Sequence, residues 1–125
     1  MPATEPLPRD EALESVIDIR PWGGFRGISY NEPSTVKIIW VEPGKRLSLQ
    51  SHKKRSELWT VIDGEMDVEL DGKVIRAKKD DQVFIPCGAK HRAVGLDAPC
   101  RWIEIAFGYF DEADIVRYED DFGRA

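Results

Sequence analysis

The sequence is short of the residues that staple, anchor or export a small protein. It has two cysteines, Cys87 and Cys100, in 125 residues. That excludes a disulfide framework and reads as reduced thiols in a cytoplasmic protein. No apolar run approaches the ~20 residues that a membrane helix needs. Met1 to Glu14 is dotted with proline and acid and lacks the apolar centre of a secretory signal. Positive charge is in deficit: 18 Lys and Arg face 23 Asp and Glu, a net charge of -5. A general nucleic-acid binder would be basic overall, so that class is set aside. A local basic pocket for a small anion is not. Helical periodicity is nearly missing, and only Asp111 to Arg117 reads as a single short helical turn.

What is present is β pattern. Thr35 to Val41 is rich in β-branched and aromatic residues and stops at Glu42-Pro-Gly44. Glu57 to Ile62 is a second such run, closed by Asp63-Gly64. Glu65 to Leu70 alternates polar with apolar, as a half-buried strand does, and ends at Asp71-Gly72. The two Asp-Gly pairs between such runs predict hairpins. Gln82 to Ile85 stops at Pro86, and Arg101 to Phe107 stops at Gly108. Short strands with regularly spaced turns predict an all-β sandwich or barrel. At about 100–200 residues per domain the chain is one domain, with residues 1–14 as an N-terminal arm and 15–125 as its body.

The chain has only two histidines, His52 and His91. Gln50 and His52 are two apart on a strand and so share a face. Glu57 opens the next strand after a short basic turn, and His91 follows the turn at Pro86-Cys-Gly88. With the third strand beside the first two, an amide oxygen, a carboxylate and two imidazoles converge. That donor set suits a divalent transition metal with positions left open.

These residues resemble the two cupin motifs. Gly44, five residues, Gln50-Ser-His52, four residues, Glu57, six residues and Gly64 is similar to the first. Asp80, five residues, Pro86-Cys-Gly88, two residues and His91 is similar to the second. Gln50 stands where the first histidine usually falls, Asp80 where a glycine opens the second motif, and Gly95 where an asparagine ends it. Arg20-Pro-Trp-Gly23, Leu47 to His52, Arg55 to Trp59 and Asp114-Ile-Val-Arg117 extend the likeness. Together they resemble the cupin domain of type II mannose-6-phosphate isomerases, from about Arg20 to Arg124.

The resemblance implies a cupin fold, a double-stranded β-helix or jelly-roll-like barrel, with a short C-terminal helical turn. It implies a metal held by Gln50, His52, Glu57 and His91, zinc first, with manganese, cobalt, nickel or iron as alternatives. It also implies interconversion of mannose 6-phosphate and fructose 6-phosphate through a cis-enediol, with Arg55 and Arg117 contacting phosphate and enediolate. Guanidinium groups suit that task through bidentate hydrogen bonds. An inward Glu104 is a candidate proton acceptor or partner of a ligand, and Asp114 or Asp120 is a candidate to orient Arg117. The alternatives are a non-catalytic cupin binding a small sugar or anion and, third, an iron-dependent dioxygenase. The expected partner is a sugar phosphate, not nucleic acid or membrane. A homodimer is expected through apolar strand faces at Trp40, Leu58 and Ile62.

Overall fold

The computed structural model describes residues 17–108 and 111–125. The expected N-terminal arm, 1–14, lies outside the described residues. Among the described residues eleven strands follow in order: β1 (Ile17–Arg20), β2 (Gly23–Arg26), β3 (Ser34–Val41), β4 (Leu49–His52), β5 (Ser56–Asp63), β6 (Glu65–Leu70), β7 (Lys73–Lys78), β8 (Gln82–Ile85), β9 (His91–Gly95), β10 (Cys100–Phe107) and β11 (Ile115–Glu119). A 3₁₀ turn, Glu112–Asp114, precedes the last. It is the short helical turn expected near the C-terminus, and Arg117 lies beyond it on a strand.

Two antiparallel sheets face each other. One has the order β3-β10-β5-β8, the other β11-β4-β9-β6-β7, and β1-β2 forms a separate hairpin. Of the two Asp-Gly pairs, only one closes a hairpin. Asp71 (φ 48°) and Gly72 (φ 84°) join β6 to β7, and a two-residue turn of type I′ needs positive φ at both positions. Asp63-Gly64 instead carries the chain from one sheet to the other. Gly64 is required there because its φ is 82° and a Cβ would strike the Pro99 carbonyl.

Side-chain alternation divides the barrel lengthwise. On β5 the inward positions are Glu57, Trp59 and Val61; on β10 they are Glu104, Trp102 and Cys100, all buried. Each strand thus runs from a carboxylate at one end to an apolar residue at the other. Trp59 and Trp102 stack with centroids 5.1 Å apart in the middle. Met66, Val68, Ala77, Val83 and Ala93 fill the apolar end. Burial of each large side chain is worth about 1.5–3 kcal/mol, and this packing supports the polar end above it.

The departures from the motif have local reasons. Asp80 adopts φ 75°, a left-handed conformation that Asp tolerates better than most residues. Gly95 approaches the backbone so closely that a Cβ would collide with the Glu42 carbonyl. Of the three residues expected at a dimer face, Leu58 is fully buried beneath Ile28 and Phe107, with Phe84 at its side. It cannot meet a partner. Trp40 is 59% exposed.

Candidate functional site

The polar end of the barrel holds a cavity of about 240 Å³ lined by residues from both sheets. His52, Glu57 and His91 are buried there, with one potential ligand atom from each lying within 4.8 Å of the others. The sequence reading placed their strands side by side. Instead β4 and β9 adjoin in one sheet, through the pair Gln50 and His91, while Glu57 reaches across from β5 in the facing sheet. The cluster forms only where the two sheets meet.

Hydrogen bonds fix the tautomer of His91 and engage both oxygens of Glu57. His91 Nδ1 lies 2.9 Å from the Ala89 carbonyl. A carbonyl only accepts, so Nδ1 carries the proton and Nε2 keeps its lone pair, 3.9 Å from Glu57. His52 Nε2 is 3.5 Å from the same carboxylate. Glu57 accepts from Trp59 Nε1 at 3.0 Å on one oxygen and from Arg55 Nε at 3.1 Å on the other. Gln50 donates through Nε2 to Ser48 Oγ at 3.0 Å, which turns its amide oxygen to the other side.

Burial sets the protonation states. It pushes His52 down to about 4, against the pull of the Glu57 charge and with help from His91 and Arg55. Burial likewise lowers His91, opposed by Glu57 and the Ala89 hydrogen bond. Burial alone would raise Glu57, but His52, His91 and the hydrogen bonds from Trp59 and Arg55 outweigh it, and the carboxyl lies below its ordinary range. Glu104 behaves oppositely: burial, the Glu57 charge and a hydrogen bond to Glu57 push it up to about 8. At neutral pH the site therefore holds two neutral imidazoles, one carboxylate and one carboxylic acid that donates to it. Two imidazoles and a carboxylate suit a first-row divalent ion, so the donor set fits the metal implied by the fold.

Positive charge surrounds the cluster. Arg55, 4% exposed, and Arg117, on β11 opposite Gln50, both line the cavity, as do Lys37 and Arg124. Arg117 Nε is buried without a hydrogen-bond partner among the described residues. The acids expected to orient it are engaged elsewhere. Asp114 accepts from the backbone of Lys53 and Lys54, and Asp120 from Phe122 and Arg124. Lys37 and Arg124 were missed as site residues. Lys37 sits between two outward apolar residues on β3, and its register partner Glu104 was the signal that could have found it.

The fold and the site define a cupin with a His-Glu-His cluster at one end of the barrel. The chain belongs to the family described as mannose-6-phosphate isomerase, C-terminal, whose profile matches residues 9–120. It is 39% identical over 118 residues to the xanthan biosynthesis protein XanB of Xanthomonas campestris pv. campestris (strain B100), covering 93% of this chain and 25% of that protein. It is 39% identical over 107 residues to the mannose-1-phosphate guanylyltransferase ManC of Salmonella typhimurium, covering 84% and 22%. The chain thus spans about a quarter of the length of these curated relatives. Among solved structures it resembles the nucleoside dehydratase Pac13 of Streptomyces, with a TM-score of 0.64 and 17% identity over 74% of this chain and 73% of that one. That likeness concerns the fold.

The relatives correct the expected activity. Their names describe guanylyl transfer to mannose 1-phosphate and polysaccharide biosynthesis. Transfer of a nucleotidyl group is a different reaction from moving a proton between two sugar carbons. The aldose-ketose isomerase expectation falls, and with it the enediolate roles given to Arg55 and Arg117. The structure offers a plainer task for Arg55, which binds the Glu57 carboxylate.

Proposed function

We propose that the chain is a metal-holding cupin module of carbohydrate metabolism that binds a mannose-type sugar phosphate at the polar end of its barrel. The observation that carries this reading is the placement of buried Arg55 and inward Arg117 on the same cavity as the His52, Glu57 and His91 cluster. His52, Glu57 and His91 would hold the ion, with the Gln50 amide oxygen as a fourth donor. Zinc leads, and manganese, cobalt, nickel and iron take the same donors. When bound, such an ion supplies a Lewis acid for oxygen atoms of the ligand. Arg117 meets the phosphate, and the neutral Glu104 can donate to a hydroxyl. Two thiols, neither in a disulfide, support a reducing, cytoplasmic setting. No helix among the described residues is long and apolar enough to cross a membrane.

Calorimetric titration of the metal-loaded protein with mannose 1-phosphate, inorganic phosphate and mannose tests the reading. Binding of both phosphate-bearing ligands and none of mannose is expected. Equal binding of mannose and its phosphate, or no heat from any of them, refutes it.

A further inference from the structure

We propose that Arg92 is a positioning residue for Arg117, clamping the C-terminal strand so that the Arg117 guanidinium stays in the cavity. The inference rests on the reading of that cavity as an anion site; the clamp itself stands on its own contacts.

Arg92 follows His91 on β9, so alternation turns it to the outer side of the sheet, where a charged residue is ordinarily solvated. It is 1% exposed instead. A buried guanidinium is tolerated only when its donors are satisfied, and Arg92 spends them on two distant segments. Nε donates to the Leu47 carbonyl at 3.0 Å. One terminal nitrogen donates to the Glu119 carboxylate at 3.2 Å and the other to the Glu119 carbonyl at 3.3 Å. The fork thereby joins β9, the segment leading into β4, and the end of β11.

The position of Glu119 gives the clamp its consequence. Pairing of β11 with β4 is regular from Ile115 to Arg117 and then shifts between Arg117 and Glu119. At a bulge the ladder no longer dictates where the chain lies. An anchor on the far side of that bulge, fixed partly through backbone, restores the constraint. Arg117 is held between the ladder and the clamp, opposite Gln50, with its buried Nε unpartnered among the described residues. Lysine cannot replace the fork, because its ammonium is a point charge without the fixed three-way geometry.

The test is a double-mutant cycle on the full, zinc-loaded chain, with inorganic phosphate as the probe read by calorimetry. Arg92→Lys and Arg117→Met are each expected to weaken phosphate binding about tenfold, and the double variant no further, because one acts through the other. Metal content is expected to be unchanged, since His91 faces the opposite side of the strand. Additive losses, or loss of metal in Arg92→Lys, overturn the proposal. The Arg117 Nε–H resonance in an NMR spectrum supplies a readout that needs no ligand. It is expected to shift and exchange faster in Arg92→Lys while amides of β5 and β10 keep their protection, and an unmoved resonance overturns the clamp. Should the wild type not bind phosphate, the anion reading falls and that resonance alone decides the clamp. If Arg92→Lys does not fold, Glu119→Ala serves in both measurements. Its side chain is 61% exposed, and a loss of about threefold is expected because the backbone half of the clamp survives.

Discussion

The rings of His52 and His91 meet edge to face, with centroids 4.8 Å apart and planes at 62°. Both direct Nε2 at the carboxylate of Glu57. Two neutral imidazoles brought this close and buried gain little from each other, and an ion between them gives their lone pairs a use.

Metal retention follows from that geometry. His52→Ala and His91→Ala are expected to purify without the stoichiometric metal of the wild type, measured by mass spectrometry of the digested protein. Chelation of the wild type should lower Tm by roughly 5–10 °C, since a ligand at 100 times its Kd stabilises by about 2.7 kcal/mol. Unchanged metal content in both variants would place the site elsewhere.

Arg55 and Arg117 should separate stability from binding. Arg55→Met leaves Glu57 buried without its charged partner and is expected to cost about 3–5 kcal/mol in urea unfolding. Arg117→Met, which breaks no hydrogen bond among the described residues, should leave the urea midpoint nearly unmoved and weaken phosphate binding. A large stability loss in Arg117→Met would count against its role at the ligand.

Cys100 predicts an alkaline limb of stability. Burial, then the charges of Asp63 and Glu65, push its thiol up from 9.0 to about 11. The folded state therefore binds the proton more tightly than the unfolded chain. Its contribution is complete below pH 9 and is lost as the pH rises through 11, an effect of about 2 kcal/mol. Cys100→Ala should flatten the stability profile between those values. In thiol labelling of the native protein, exposed Cys87 should react and Cys100 should wait for unfolding.

Gly95→Ala tests the close approach of β9 to the loop before β4. The added methyl meets the Glu42 carbonyl, and a loss of at least about 2 kcal/mol is expected from thermal melts. An unaltered Tm would mean that the backbone gives way freely.

A second copy of the chain is the occupant proposed for the outer face of β3. Val36, Ile38 and Trp40 are each more than half exposed there, and among the described residues β3 is the end strand of its sheet. Such an edge needs covering, and the β1-β2 hairpin, with Ile17, Ile19 and Phe25 exposed, is the complementary surface the same chain offers. Sedimentation should show a dimer at micromolar concentration, and Ile38→Glu should shift it to monomer. A monomeric wild type would contradict this.

Much of the barrel was legible because its strands carry β-branched and aromatic residues between clear turns. The run from Glu65 to Leu70 has the bounds expected of it. Lys73–Lys78 is hard to read because apolar Val74 faces outward beside Ile75 while charged residues stand at Lys73, Arg76 and Lys78, which breaks the alternation. The ligand spacing pointed to the cluster, but which sheet contributes Glu57 depends on Asp63-Gly64 being a corner rather than a hairpin, and both turn types use the same two residues. Arg92 was invisible for a related reason. Nothing local distinguishes an arginine covered by a strand 27 residues away from one in solvent.

The cavity also has walls of two kinds. Glu57 and Glu104 share β5 and β10 with the packed Trp59 and Trp102, whereas Arg55 and Arg124 lie outside any strand. The phosphate contact Arg117 belongs to the stiff part, because it lies on β11 opposite Gln50. Affinity should therefore follow the anionic group first, and replacing one sugar ring by another should cost less than removing the phosphate.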